Sequence, residues 1–134
     1  MYNILLTIKK IIKYLYLFYR LIYFLFVNVL AIVVPKKNNL WLIGSWQGNR
    51  FSSSSKYLFL YLLKNKPEIS VFWITKNKDV FNLLDSQSLP VLYKYSPKGL
   101  WCSLRSSVIF VSNEIDDVNP GYANNAIFIQ LFHH

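Results

Sequence analysis

The chain has 134 residues, of which 54% are hydrophobic and 18% aromatic, and its formal net charge at pH 7 is +9. This length allows one domain with a buried core, and the composition excludes an intrinsically disordered protein. The single cysteine, Cys102, excludes an internal disulfide and a cysteine-based zinc site, and it favours a reducing compartment. Because no acid or histidine is near Cys102 in its predicted helix, we expect a packed, unreactive thiol.

The positive charge is concentrated at the N-terminus. Six of the 15 basic residues lie within residues 1–37, whereas the acidic residues begin only at Glu68. From residue 38 onward nine basic residues stand against six acidic ones, a balance of only +3. The excess basic residues thus belong to an apolar segment, and no nucleic-acid-binding motif accompanies them. We therefore expect no nucleic-acid partner.

Residues 1–37 are predicted to form a basic, apolar helix that attaches to a membrane. No glycine or proline interrupts the segment before Pro35, and Lys9, Lys13 and Arg20 fall on one side of a helix at about 100° per residue. Basic side chains on such a helix can reach anionic headgroups while their stems cover apolar surface, which favours interfacial or re-entrant attachment. The predicted membrane-binding residues are Lys9, Lys10, Lys13 and Arg20.

Three alternatives stay open for this segment. The first is a helix that spans the membrane. The apolar run after Arg20 has 14 residues, short of the roughly 20 that span a bilayer, and a run counted from Tyr14 has 21 residues but contains Arg20. A signal peptide with a poor cleavage site at Val29 and Ala31 is the second alternative. The third is a helix packed on another part of the protein.

From residue 38 onward, short β-rich runs alternate with helix-like runs. The predicted strands are LWLIG (40–44), ISVFWIT (69–75), PVLY (90–93), SVIFVS (107–112) and AIFIQL (126–131), and the predicted helices are 53–66, 78–87 and 96–107. In the first helix Tyr57, Leu58, Tyr61 and Leu62 form the predicted apolar face. Because the strands are continuously apolar, we predict a parallel sheet buried on both faces, in a doubly wound α/β layer.

Ligands of such sheets bind beyond the carboxyl ends of the strands, which here include Gly44-Ser45 and the region of His133. The loop 44–56 has backbone N–H groups suited to an anion at a helix N-terminus, although an ordinary βα turn explains it equally well. The loop 113–125 carries three acids without metal-ligand spacing, so we expect a solvated loop and no metal site. His133 is a candidate general base, although terminal histidines are more often an unimportant tail or a tag remnant.

Several motifs, taken in order and spacing, carry a resemblance to a known family. They are LWLIGSWQGNRFSSSSKYLFLYL (40–62), VFWITKN (71–77), YKYSPKGLWCSLRSSVIFVSNEIDDVNP (93–120) and IFIQLFHH (127–134). They resemble the CDP-glycerol glycerophosphotransferase family of teichoic acid polymerases and primases. The resemblance covers residues 38–134, and the N-terminal segment resembles the membrane-attachment region of the same family.

The resemblance implies a Rossmann-like parallel sheet layer as the first half of a GT-B-like fold, in which two such domains face a cleft. It implies transfer of glycerol phosphate from CDP-glycerol to a lipid-linked acceptor at the cytoplasmic face of the cell membrane, without a further cofactor. His133 matches the family's likely general base, and Gly44, Ser45 and Asn113 are the predicted substrate-binding residues. Asn113 stands where relatives often carry histidine, and His134 stands where they carry glycine.

The resemblance also implies a domain division into a membrane-attachment segment, 1–37, and an acceptor-side domain, 38–134, with the donor domain missing. We therefore expect a fragment that is inactive alone and that pairs with a second domain or a full-length homologue. A GT-B transferase half that uses another CDP-linked polyol or sugar stays open, as does a non-enzymatic, membrane-anchored binding module.

Overall fold

A long N-terminal helix precedes alternating strands and helices in the computed structural model, which describes residues 1–45, 53–112, 117–119, 122–123 and 125–131. In chain order the elements are α1 (Tyr2–Val33), β1 (Lys37–Ile43), α2 (Ser53–Asn65), β2 (Ser70–Thr75), α3 (Lys78–Ser86), β3 (Val91–Tyr93), α4 (Pro97–Arg105), β4 (Ser106–Val111) and β5 (Ile127–Gln130). Every predicted strand and helix therefore has a counterpart in the structure.

The five strands form one parallel sheet in the order β3-β2-β1-β4-β5. Leu42 in the central strand pairs with Phe72 of β2 on one side and with Ile109 of β4 on the other. The chain moves outward from β1 to β3 and then crosses to the other side of β1 for β4 and β5. This is the order of a doubly wound sheet, so the predicted parallel α/β architecture is confirmed.

Strands β1 to β4 are buried on both faces of the sheet, to which successive side chains of a strand point in turn. The edge strand β5 leaves Ile127 and Ile129 exposed, so the predicted burial on both faces is wrong for this strand. On one face Ile43, Trp73 and Phe110 pack beneath α2 and α3, which contribute Phe59 and Leu84. On the other face, the apolar residues Leu40, Leu42, Ile74, Leu92, Ile109 and Val111 pack with Cys102 of α4 and with Val118 and Ala123. The continuous apolar runs of the sequence reflect these two buried faces.

Two local predictions need correction. In α2 the inward side is formed by Phe59 and Leu62, with Leu58 half-buried, whereas Tyr57 and Tyr61 are exposed. Tyrosine is amphipathic, so counting it as apolar placed the buried face partly on the wrong side of the helix. β1 also begins at Lys37, three residues earlier than predicted. The prediction missed this start because the first three residues of the strand are polar and exposed and carry no hydrophobic signal.

Helix α1 is exposed over residues 1–26 and meets the globular part only near its end, where Val27 and Ala31 are buried. The hydroxyls of Tyr23 and Tyr122 share a hydrogen bond, and Lys36, just after α1, donates to the Leu104 carbonyl at 2.9 Å. Among the described residues, α1 is a helix long and apolar enough to cross a membrane. Signal sequences and core helices meet the same length and composition criteria, so this property alone does not assign its role.

Candidate functional site

The carboxyl ends of β1 and β4 lie side by side at the centre of the sheet, where the chain leaves the two strands in opposite directions. Gly44 and Ser45 follow β1, and Ser112 follows β4. Divergence of the two connections opens a crevice at this point in doubly wound sheets, and ligands of such folds bind there. The predicted residues Gly44 and Ser45 therefore lie at the switch point of the fold.

Position 44 has no room for a side chain, which explains the glycine there. A Cβ atom on this residue would stand 2.5 Å from the Asp117 carbonyl oxygen and 3.0 Å from its carbonyl carbon. The backbone of Gly44 is not left-handed, so the close approach of the chain at Asp117 accounts for the glycine. The Gly44 amide also donates to the Phe110 carbonyl at 3.0 Å, which ties the turn to β4.

A buried polar cluster joins the ends of β1 and β4. The hydroxyls of Ser45 and Ser112 are 2.9 Å apart, and the Ser112 amide donates to Asp117 Oδ2 at 2.8 Å. All three side chains are fully buried. Buried polar groups are retained when they are hydrogen-bonded, and here they lock the ends of β1 and β4 to the segment that starts at Asp117.

Asn119 ties the same segment to the neighbouring side of the sheet. Its side-chain amide donates to the Lys94 carbonyl at 2.7 Å and is 3.4 Å from the Ser103 hydroxyl. The Lys94 amide in turn donates to the Thr75 carbonyl at 2.7 Å, at the end of β2. The described part of the 113–125 loop is thus anchored at three strand ends, and it is not the solvated loop that we predicted.

The roles of Ser112, Asp117 and Asn119 were not predicted from the sequence. The loop that carries Asp117 was predicted to be solvated, but the Asp117 carboxylate is buried and accepts from the Ser112 amide. Across the described ranges, no group of three or more histidine, cysteine or acidic side chains is arranged to hold a metal ion. A serine at a strand end with an aspartate five residues later was the available signal, and it is too common to assign a role.

The remaining predicted site residues are distributed as follows. His133 and Asn113 lie outside the described residues, and so does most of the Gly- and Ser-rich loop. The nearest described residue to His133 is Leu131, whose amide donates to the Val111 carbonyl at 2.7 Å, beside the end of β4. Lys9, Lys10, Lys13 and Arg20 lie on the exposed part of α1, and the Arg20 guanidinium is 5.8 Å from the centre of the Tyr16 ring.

The strand order defines a doubly wound α/β domain, a class of fold that binds ligands beyond the carboxyl ends of strands placed as β1 and β4 are here. The model of the CDP-glycerol:poly(glycerophosphate) glycerophosphotransferase family matches residues 26–134, and the chain belongs to this family. The resemblance predicted from the sequence motifs is therefore confirmed. No curated protein matches the chain at a significant level.

Solved structures of the wall teichoic acid polymerase TagF share this fold. One TagF structure is 23% identical with a TM-score of 0.57, and the match covers 73% of this chain and 23% of the TagF chain. A histidine variant of TagF soaked with CDPG is 22% identical with a TM-score of 0.57, covering 73% of this chain and 24% of that one. The chain thus spans about a quarter of the TagF length, and the likeness at this identity concerns the fold alone.

Proposed function

We propose that this chain forms the acceptor-side, membrane-facing part of a transferase that moves glycerol phosphate from CDP-glycerol to a lipid-linked teichoic acid or related cell-wall acceptor. Family membership over residues 26–134 is the observation that carries the proposal. The fold likeness to about a quarter of TagF supports a division of labour in a GT-B-like enzyme. In this proposal a second domain, or a second chain, supplies the nucleotide site.

The crevice at the switch point is the proposed acceptor site. Gly44 lets the chain at Asp117 approach closely, and Ser45 positions the turn through Ser112. Because Ser45 is fully buried, backbone groups of this turn are better placed than its hydroxyl to contact an acceptor. We assign acceptor binding to Gly44, Ser45 and Asn113 as a group.

The proposed chemistry is proton removal from the acceptor hydroxyl by His133, which matches the base position of the family. A neutral imidazole at this position would take the hydroxyl proton as the oxygen attacks the phosphorus that carries glycerol, while the diphosphate bond to that phosphorus breaks and CMP leaves. Such a transfer needs the nucleophile, base and donor phosphates held in register, so acceptor-side residues alone do not complete it.

Membrane attachment through α1 is part of the proposal, and its geometry favours the interfacial form. Val27 and Ala31 pack on the globular part, and Tyr23 is hydrogen-bonded to Tyr122. The first part of α1, residues 2–18, extends about 25 Å at 1.5 Å per residue, and it carries three lysines. These charges favour an amphipathic helix that lies at the cytoplasmic surface.

Binding and turnover can be separated in nanodiscs with and without a lipid-linked glycerol phosphate acceptor. We expect the 134-residue chain to bind acceptor-bearing discs more tightly than acceptor-free discs and to release no CMP from CDP-glycerol. His133→Ala should leave acceptor binding near that of the unaltered chain, since a base contributes to the chemical step.

Two results would contradict the proposal. Release of CMP by the chain alone would show that the donor site lies within these residues. Equal binding to the two kinds of disc would show that the chain has no acceptor site and would favour the alternative of a membrane-anchored binding module.

A further inference from the structure

A cleft of about 290 Å³ separates α1 from the segment that contains Asn119 and Tyr122. Arg20, Tyr23 and Val27 line it from the helix, and Asn119 and Tyr122 line it from the globular part. Its size is near the lower end of small-molecule pockets, about 300 to 1,000 Å³, which is suited to a headgroup rather than to a whole lipid. The proposed acceptor chemistry at the switch point does not use this cleft.

Both walls of the cleft are held in place. The Tyr23 and Tyr122 hydroxyls are hydrogen-bonded, with their rings edge to face at 6.4 Å between centroids. Tyr19 stacks on Tyr23 at 6.3 Å. On the other wall, the Asn119 side chain is fixed by its bond to the Lys94 carbonyl. The cleft is therefore a formed site that requires contributions from both α1 and the globular part.

The polar groups of the cleft suit an anion. Arg20 places a permanent positive charge on the helix wall, and its guanidinium can bind two phosphate oxygens at once. Burial, followed by the hydrogen bond shared with Tyr23, raises the pKa of Tyr122 to about 12, so no phenolate charge opposes an anion in the cleft. The carboxylate of Asp117, close by in sequence, is buried against Ser112 and does not neutralise Arg20.

The cleft lies at the boundary between the exposed apolar part of α1 and the globular part. All residues of α1 up to Phe26 are exposed, and the first buried one is Val27. If the exposed part lies in a membrane surface, Arg20 is at the depth of the headgroups. We propose that this cleft binds the phosphate group of a membrane lipid, with Arg20 and the hydroxyl pair of Tyr23 and Tyr122, which has one O–H left to donate, as ligands and the lipid tail lying along α1. The inference rests on membrane attachment by α1 and is independent of the transfer reaction.

Vesicle binding by the full 134-residue chain tests this site, using phosphatidylcholine vesicles that contain phosphatidylglycerol and no lipid-linked acceptor. Arg20→Gln and Lys13→Gln each remove one charge from the same side of α1, but only Arg20 lines the cleft. We expect Arg20→Gln to weaken binding about fivefold more than Lys13→Gln, since a lost phosphate contact adds to the lost surface attraction. Tyr122→Phe changes no charge but removes one hydroxyl of the pair, and it should weaken binding about threefold.

Each outcome decides the proposal. Equal losses in Arg20→Gln and Lys13→Gln, with Tyr122→Phe unchanged, would overturn it in favour of general surface attraction. Arg20-dependent binding of inorganic phosphate in solution, measured by calorimetry, would assign the cleft to a free phosphate and overturn the lipid assignment. Failure of the unaltered chain to bind any vesicle would overturn membrane attachment as well. Circular dichroism of each variant verifies that the fold is retained.

Discussion

At the scale of single residues, the close contact between Gly44 and the chain at Asp117 fixes how the end of β1 packs against the segment that starts at Asp117. A Cβ at position 44 would lie 2.5 Å from the Asp117 carbonyl oxygen, so Asp117 and its bond to Ser112 must move if any other residue is present. The glycine therefore couples the end of β1 to the polar cluster on the other side of the crevice.

We expect Gly44→Ala to lower the free energy of unfolding by about 1 to 3 kcal/mol, the usual cost of forcing extra volume into a packed site. The entropy that alanine removes from the unfolded chain, about 0.4 to 1 kcal/mol, works in the opposite direction and is smaller. Urea denaturation followed by tryptophan fluorescence measures the change. Asn38→Ala, on the exposed start of the same strand, is the control and should cost less than about 0.5 kcal/mol. An equal effect in both variants would contradict steric control.

Cys102 supplies a second residue-scale prediction, because it is the single cysteine of the chain and is only 8% exposed. Burial raises the pKa of its thiol, against the opposing positive charges of Lys98, Lys37 and Arg105. We expect labelling by Ellman's reagent at pH 8 to be slow in the folded protein and to become fast in urea. Rapid labelling before unfolding would contradict the packed position of Cys102 in the core.

Predictability at this scale was uneven. The packing of Cys102 followed from its helix and its surroundings in the sequence. The role of Asp117 did not, since a carboxylate in a polar loop looks the same whether it meets water, a metal or a backbone amide. The bond between Tyr23 and Tyr122 joins residues 99 positions apart, and no local pattern predicts such a contact.

At the scale of secondary structure, two helices begin with side-chain caps that fix their start. Asn77 accepts hydrogen bonds from the amides of Asp79 and Val80 at the start of α3. Ser96 accepts from the Gly99 amide at the start of α4, where proline follows directly. These caps satisfy amides that have no partner within the helix, and they place each helix directly after its strand.

Replacing Asn77 by alanine should lower the free energy of unfolding by about 1 kcal/mol, because the amides at the start of α3 lose their acceptor. Asn77→Asp keeps a capping oxygen and should be close to neutral. Thermal unfolding in the same detergent compares the stability of the unaltered chain, Asn77→Ala and Asn77→Asp. A loss of equal size in Asn77→Asp would show that the cap is not the cause.

The order of strands and helices was predictable because each strand is an apolar run bounded by polar loops. The face of α2 was not, since Tyr57 and Tyr61 follow the apolar spacing yet are exposed. The polar start of β1 was also hidden, because Lys37 pairs with Ser106 through the backbone rather than through an apolar side chain. Backbone pairing and amphipathic side chains are the two features that hydrophobic periodicity does not report.

At the scale of the whole molecule, α1 is attached to the globular part by a small contact near its end. Val27 and Ala31 are the buried residues of the helix, with Tyr23 bonded to Tyr122 beside them. Residues 2–26 of the helix are exposed, so its position relative to the sheet depends on a few side chains near its end.

We expect Val27→Asp to release α1 from the globular part and to lower the free energy of unfolding by about 2 kcal/mol or more, because it would bury an unpaired charge. Leu25→Asp is the matched control, since it introduces the same charge on an exposed side of the same helix. Limited proteolysis after residue 33 reports release of the helix, and urea denaturation reports stability. Equal proteolysis and equal stability of Val27→Asp and Leu25→Asp would contradict the packing of α1 on the globular part through Val27.

The docked end of α1 also connects membrane binding with folding. In the proposed lipid site, a lipid between the helix and the segment at Tyr122 would contact the folded chain at two places that are 99 positions apart in sequence, and the unfolded chain lacks that arrangement. By mass action, a ligand present at 100 times its dissociation constant then adds about 2.7 kcal/mol to the stability of the folded state. On this account the membrane acts as a folding cofactor, and the protein is most stable at the surface where it would work.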